Sequence, residues 1–179
     1  MKIEETPLKD AYVLTPQVFS DERGYFFESF NEETTKHSVI DNYKWVQENE
    51  SKSTKGVLRG LHFQKGEYAQ AKLVRVIVGE VFDVAVDLRK NSPTYGKWHG
   101  EILTENNKKQ FLVPRGFAHG FVVISEVAIF SYKCDNFYSP QNDSGIIYND
   151  TVLGIDWPVI GTIFQLSEKD KNLDSFNKA

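Results

Sequence analysis

Two short segments carry the side chains best suited to proton chemistry. In Gly56-Val-Leu-Arg-Gly-Leu-His-Phe-Gln64 an arginine and a histidine three apart, Arg59 and His62, interrupt an apolar, glycine-punctuated run. In Pro114-Arg-Gly-Phe-Ala-His-Gly-Phe121 a second histidine, His119, follows a Pro and Gly turn at the start of another apolar run. Imidazole gives and takes protons near neutral pH, and polar groups set into strands that must be buried need partners. Two such segments point to one shared cavity. The four histidines, His37, His62, His99 and His119, show neither helical i, i+4 spacing nor a His-x-His alternation, so no metal site is indicated. The single cysteine, Cys134, excludes an internal disulfide and any multi-cysteine zinc site. It reads as a small packed strand residue, and its isolation fits a reducing, cytoplasmic setting.

The elements that must position these groups are mostly strands. Thirteen Phe, eight Tyr and three Trp fall, with many Val and Ile, in short runs separated by Gly, Pro, Asn and Asp. From Glu80 to Leu88 the run alternates, Phe82, Val84, Val86 and Leu88 on one face against Asp83, Ala85 and Asp87 on the other. Lys72 to Val78 precedes it across Gly79, which predicts a hairpin or a sharp bend. Further strands are expected at 25–30, 110–113, 120–124, 127–133 and 146–148. Helix signals are confined to Asn31-Glu-Glu-Thr-Thr and to the Ser-x-x-acid start Ser167-Glu-Lys-Asp170. The spacing predicts an all-β sandwich or barrel with a few short peripheral helices, in one domain over 1–179. With 21 basic and 25 acidic residues the net charge is -4, which offers no overall positive field for nucleic acid or an anionic membrane, and no apolar run approaches a membrane span.

Pro114-x-Gly-x-x-His119 resembles the second motif of the cupin superfamily, and the metal-binding His-x-His of the first motif stands here as His62-Phe-Gln64. That resemblance implies a jelly-roll β-barrel of the metal-free kind. Taken together, Asp21-Glu-Arg-Gly-Tyr-Phe-Phe-Glu28, Gln47-Glu-Asn-Glu-Ser-Lys-Ser53, Val57 to Gln64, Gln70-Ala-Lys-Leu-Val-Arg75, Gly79 to Arg89, Pro114 to Phe121, Tyr132, Tyr138, Asn149-Asp150 and Trp157-Pro158 resemble the dTDP-4-dehydrorhamnose 3,5-epimerase family, in its order, over about residues 3–170.

The resemblance implies inversion of carbons 3 and 5 of dTDP-4-dehydro-6-deoxy-D-glucose without a cofactor, in a homodimer whose subunits exchange an N-terminal strand. The carbon-4 ketone acidifies both neighbouring C–H bonds, so the protein must supply a base, a proton donor on the other face and stabilisation for the enolate oxygen. On the matching positions His62 is the base, Asp170 its carboxylate partner, Tyr132 the donor and Lys72 the cation near oxygen 4. Arg23 and Arg59 match phosphate or sugar contacts. Glu28, Gln47, Asn49, His119 and Lys169 match substrate contacts, while Phe26 and Tyr138 are placed to stack on or pack beside thymine. Asp143 departs from the family's usual glutamate, so its contact calls for a bridging water. Taken without the family, Asp170 reads as a helix-start acid, Tyr132 as a packing aromatic and Lys72 as an edge-strand lysine. The competing readings are an epimerase acting at one carbon of a related 4-keto sugar nucleotide, a noncatalytic sugar-nucleotide binding cupin, and a metal-dependent cupin oxygenase, the last disfavoured by Gln64.

Overall fold

The computed structural model describes residues 1–178, and in it the period-two alternation becomes thirteen strands: β1 (Lys2–Glu5), β2 (Tyr12–Thr15), β3 (Val18–Asp21), β4 (Gly24–Phe27), β5 (Gln47–Thr54), β6 (Leu58–Gln64), β7 (Lys72–Val78), β8 (Glu80–Asp87), β9 (Trp98–Thr104), β10 (Gln110–Val113), β11 (Phe117–Val123), β12 (Val127–Cys134) and β13 (Asp143–Gly145). One four-residue helix, α1 (Glu168–Lys171), and short 3-10 turns lie outside them. A six-stranded sheet in the order β1-β2-β10-β7-β12-β5 faces a five-stranded sheet in the order β13-β6-β11-β8-β9, and β3 pairs only with β4. All these strand pairs are antiparallel. This is the jelly-roll type of double sheet.

The inner faces meet in a core of Val13, Val74, Val76, Val81, Ala85, Phe111, Phe121 and Phe130. The outer face of the five-stranded sheet is also covered. Leu61, Val84, Val86 and Ala118 pack there beneath Ile146, Leu153, Trp157 and Phe176 from the C-terminal segment. The alternation along β8 is therefore real, but both of its faces are buried, which explains why the strand has so few exposed positions. Gly79 joins β7 to β8 across the two sheets, so the junction is a bend; its φ is +82° and a Cβ there would sit 2.0 Å from the Val127 carbonyl oxygen.

Several expected boundaries shift for identifiable reasons. The strand expected at 25–30 ends at Phe27, and that expected at 146–148 is replaced by β13, with Ile146 making a single bridge to Asp174. His119 lies inside β11, not at its start. The Asn31 segment is capped as expected, Asn31 Oδ1 accepting from the Glu33 and Thr34 amides (2.9 and 3.3 Å), yet it forms turns and not a helix, the β-branched Thr34-Thr35 pair following the cap. The Ser167 signal does start α1, its hydroxyl accepting from the Asp170 amide at 3.1 Å.

A polar network ties the N-terminal loop to the end of β8. Fully buried Asp87 accepts from Arg89 Nε and Nη2 (both 2.9 Å), Ser92 Oγ (2.5 Å) and Thr94 Oγ1 (2.7 Å), while Arg89 Nη1 reaches Asp10 at 2.8 Å. Burial pushes the Asp87 carboxyl up, but the Arg89, Ser92 and Thr94 hydrogen bonds outweigh it and hold it below the usual carboxylate range. Its stabilisation is therefore complete above the ordinary value of 3.8 and is lost as pH falls through the lower folded value. Asp87→Asn is expected to cost about 3 kcal/mol at pH 7. Denaturant unfolding of both proteins at pH 7 and below pH 3.8 checks it, since the gap must narrow in acid.

Candidate active site

The site is built where β6 and β11 run together. On an unbroken strand, residues three apart face opposite ways, yet Arg59 and His62 share one cavity. The register explains this: His62 lies opposite His119 and Arg59 opposite Phe121, so three steps along β6 match two along β11, a β-bulge. Gly60 sits in the bulge with φ +130°, and a Cβ on it would fall 2.6 Å from Gly120 Cα. The glycines beside Arg59 and His119 allow the backbones to approach this closely.

The remaining groups come from the facing sheet. Lys72 opens β7, which runs between β10 and β12, so it is a central-strand lysine and not the edge residue that its sequence also allowed. Tyr132 of β12 pairs with Asn49 of β5 and Val74 of β7. A cavity of about 520 Å³ between the sheets is lined by Arg59, His62, Lys72, His119, Tyr132 and Asp170, with Leu58, Phe121 and Phe130 as its apolar wall. An adjoining lobe of about 330 Å³ shares His62, Lys72 and Tyr132 and adds Gln47, Asn49, Tyr138 and Asp143.

His62 Nε2 lies 2.5 Å from Asp170 Oδ1. Asp170 is 3% exposed; burial raises its pKa, but the His62 hydrogen bond and charge outweigh burial and hold it below the ordinary range. An ionised Asp170 accepts the proton on Nε2, and in a neutral imidazole so oriented the other nitrogen carries the lone pair. The helix-start and partner readings of Asp170 are compatible: its amide is capped by Ser167 and its carboxylate meets His62. Burial lowers the pKa of Lys72 and raises that of Tyr132. The Lys72 ammonium stands 5.9 Å from the Tyr132 ring centroid. His119 Nε2 faces both oxygens of Asp83, at 2.8 and 3.0 Å. Burial pushes Cys134 up to about 11, so the thiol stays protonated and packs as the sequence predicts.

At the rim, Tyr138 donates to Asp143 Oδ2 at 2.9 Å, and Lys169 pairs with the same oxygen. Arg23, Phe26 and Glu28 are not brought to the cavity. Arg23 pairs with Asp21, Phe26 is 69% exposed, and Glu28 accepts from Asn31 and Thr34 at 2.6 and 2.7 Å beside a separate cleft. The sequence reading missed Asp83 and Ser53, which accepts from Arg59 Nε at 3.1 Å. Asp83 had a signal, a carboxylate on an alternating face that also carries Ala85; Ser53 had none beyond its place in a motif.

A histidine–carboxylate pair on one wall, with a phenol and a buried ammonium on the other, makes an arrangement suited to proton transfer within a cupin-like barrel. Residues 5–178 match the family described as dTDP-4-dehydrorhamnose 3,5-epimerase. The enzyme of that name from Salmonella typhimurium is 54% identical over 170 residues, 95% of this chain and 92% of its own. The crystal structure of the Elizabethkingia anophelis enzyme of that name has 55% identity and a TM-score of 0.90, covering 99% of this chain and 97% of that one. A dTDP-6-deoxy-D-glucose-3,5-epimerase from Legionella pneumophila, solved with dTDP-4-keto-L-rhamnose, has 47% identity and a TM-score of 0.94 over 98% of this chain and 93% of its own. The chain belongs to the dTDP-4-dehydrorhamnose 3,5-epimerase family, and it is an isomerase.

The bulge generates a sharp expectation. Gly60→Ala places a Cβ against backbone at 2.6 Å in a left-handed conformation, and should cost about 2 kcal/mol or more. Thermal melts check the cost. The folded fraction should also lose activity, because Arg59 and His62 can then no longer face the same cavity.

Proposed function

We propose that the chain inverts carbons 3 and 5 of dTDP-4-dehydro-6-deoxy-D-glucose to give dTDP-4-dehydro-L-rhamnose, with His62 as base and Tyr132 as acid. The observation that carries this is the placement of the His62–Asp170 pair and Tyr132 on opposite walls of one cavity. His62 removes the proton alpha to the ketone, and the ionised Asp170 steadies the imidazolium that results. The enolate oxygen lies within the field of Lys72, whose charge acts at low dielectric. Tyr132, held protonated by burial, delivers a proton to the opposite face; once His62 has released its proton to solvent and Tyr132 has been reprotonated, the same cycle serves the second carbon. The ketone supplies the acidity, so this scheme draws on no cofactor.

Arg59 and His119 are assigned to the substrate's polar groups within the cavity, and Gln47, Asn49, Tyr138, Asp143 and Lys169 to contacts along the second lobe and rim. Arg23, Phe26 and Glu28 require another source. The β3–β4 hairpin pairs with no other strand and exposes Phe19, Tyr25 and Phe26, which supports a homodimer in which each hairpin completes the partner's site. We place this dimer of single-domain subunits in the cytoplasm; no helix of the chain is long and apolar enough to cross a membrane among the described residues.

Proton NMR of the substrate in deuterated water tests the chemistry. Loss of both the carbon-3 and carbon-5 signals is expected, exchange at one carbon would make it a single-centre epimerase, and binding without exchange would make it a binding module. His62→Ala should slow exchange roughly 10²–10⁴-fold with nucleotide binding kept. Tyr132→Phe should still exchange but fail to complete inversion. Mixed subunits test the dimer. His62→Ala and Arg23→Ala proteins, each inactive alone, should regain activity when mixed, because one site of each mixed dimer then receives an intact base and an intact hairpin. Absence of complementation in verified mixed dimers would remove the exchange.

A further inference from the structure

The ionisable row that begins at the cavity wall does not end at Asp83. On the next strand Glu101 lies directly opposite Asp83. Directly opposed residues of antiparallel strands project to the same face, with Cβ atoms about 5 Å apart. His99, two residues earlier on β9, shares that face, and its ring stands edge-on to Phe111 of the facing sheet at 5.9 Å, so the face is the interior. Glu101 Oε1 accepts from Lys109 Nζ at 2.6 Å. Its other oxygen is 3.5 Å from His99 Nε2, a buried nitrogen with no hydrogen-bond partner among the described residues. The row thus runs His119, Asp83, Glu101, then Lys109 and His99, through an interior otherwise filled by residues such as Val81, Ala85 and Phe121.

We propose that the Glu101–Lys109 ion pair acts through Asp83 to set the protonation state of His119, and so the charge that the cavity wall presents to the substrate. Neither residue lines the cavity, so both are positioning groups. Carboxylates on directly opposed positions of one face oppose each other, and the Lys109 ammonium neutralises the second. The ionisable groups facing His119 from the cavity are Arg59 and His62 of β6, Lys72 of β7, Tyr132 of β12, and Lys169 and Asp170 of α1. Glu101, His99 and Lys109 approach Asp83 from the opposite side, outside the lining of the cavity and its adjoining lobe. The consequence for catalysis rests on the epimerase reading above; the coupling itself does not.

The test follows the His119 ring by NMR titration in the full-length protein, in which there are four histidines to assign. Glu101→Gln removes a negative charge and leaves Lys109, so the His119 midpoint should fall by about half a unit or more. Lys109→Met leaves Glu101 uncompensated, and the midpoint should rise by a similar amount. The double variant should return close to wild type, and Lys109→Arg, which keeps the charge, should not move it. Glu101→Gln is isosteric and Lys109 is partly exposed, so both proteins should fold. A purely structural ion pair predicts instead that both single variants lose stability and that neither moves the midpoint, or that both move it the same way; either result overturns the proposal. If the midpoints move oppositely while deuterium exchange into the sugar is absent in every protein, the coupling stands and the epimerase reading fails.

Discussion

Side chains three apart on a flat strand cannot converge, and the cavity depends on breaking that rule at one place. The β-bulge opposite Gly120 turns Arg59 and His62 inward together, and it exists because Gly60 and Gly120 let two backbones meet where any Cβ would collide. The apolar runs on either side of those glycines keep the rest of β6 and β11 in register, so the distortion stays local. Once His62 faces inward opposite His119, the other walls need only regular strands. Lys72 and Val74 on β7, and Phe130 and Tyr132 on β12, alternate inward by the ordinary period of two.

The second constraint comes from the far end of the chain. Residues after Gly145 cover the outer face of the five-stranded sheet with Ile146, Leu153 and Trp157, return so that Gln165 bridges Val57 and α1 carries Asp170 to His62, and then add Phe176 to the same cover. Burial of that apolar strap therefore fixes the position of a carboxylate that charge attraction alone would hold weakly against solvent. A four-residue helix has little stability of its own. It is kept by the Ser167 cap at one end and by the His62 contact within it, so the local element and the catalytic pair we propose stabilise one another.

Much of this was legible in the residues. The alternation of Glu80 to Leu88, the glycine at 79, the run at 110–113 and the cap at Ser167 each translate a local rule into an element, and the structure keeps them. The strands at 2–5, 12–15, 18–21, 47–54 and 98–104 escaped notice, and for one of them the reason is that its inward positions are polar. β5 reads Gln-Glu-Asn-Glu-Ser-Lys-Ser-Thr, with no apolar periodicity, because Gln47, Asn49 and Ser51 line the cavity instead of packing in a core. A functional strand thus hides itself from a pattern based on hydrophobicity. The Asn31 segment carries a genuine cap, since its side chain accepts from the Glu33 and Thr34 amides, but the β-branched Thr34-Thr35 pair that follows does not propagate a helix. His62 and His119 stood out as chemistry because they interrupt apolar runs, whereas Asp170 and Tyr132 were assigned only through the family pattern, since an acid after a serine and an aromatic in a strand have commoner uses.

The site divides by depth, and the division follows from dielectric physics. Groups whose proposed work is to move or stabilise charge, His62, Asp170, Lys72 and Tyr132, sit between the sheets, where burial lowers the lysine, raises the phenol and strengthens every electrostatic term acting on an enolate. Groups proposed to recognise the nucleotide, Tyr138, Lys169 and the β3–β4 hairpin, lie at the rim or beyond it, where water competes for each contact. Such contacts gain strength only when another surface excludes that water. A hairpin with exposed Phe19, Tyr25 and Phe26 is costly to leave in solvent and inexpensive to dock. The exposed apolar residues of the lone subunit are those whose burial against a second copy would dry the rim, so in the proposed dimer closure and completion of the site would draw on the same driving force.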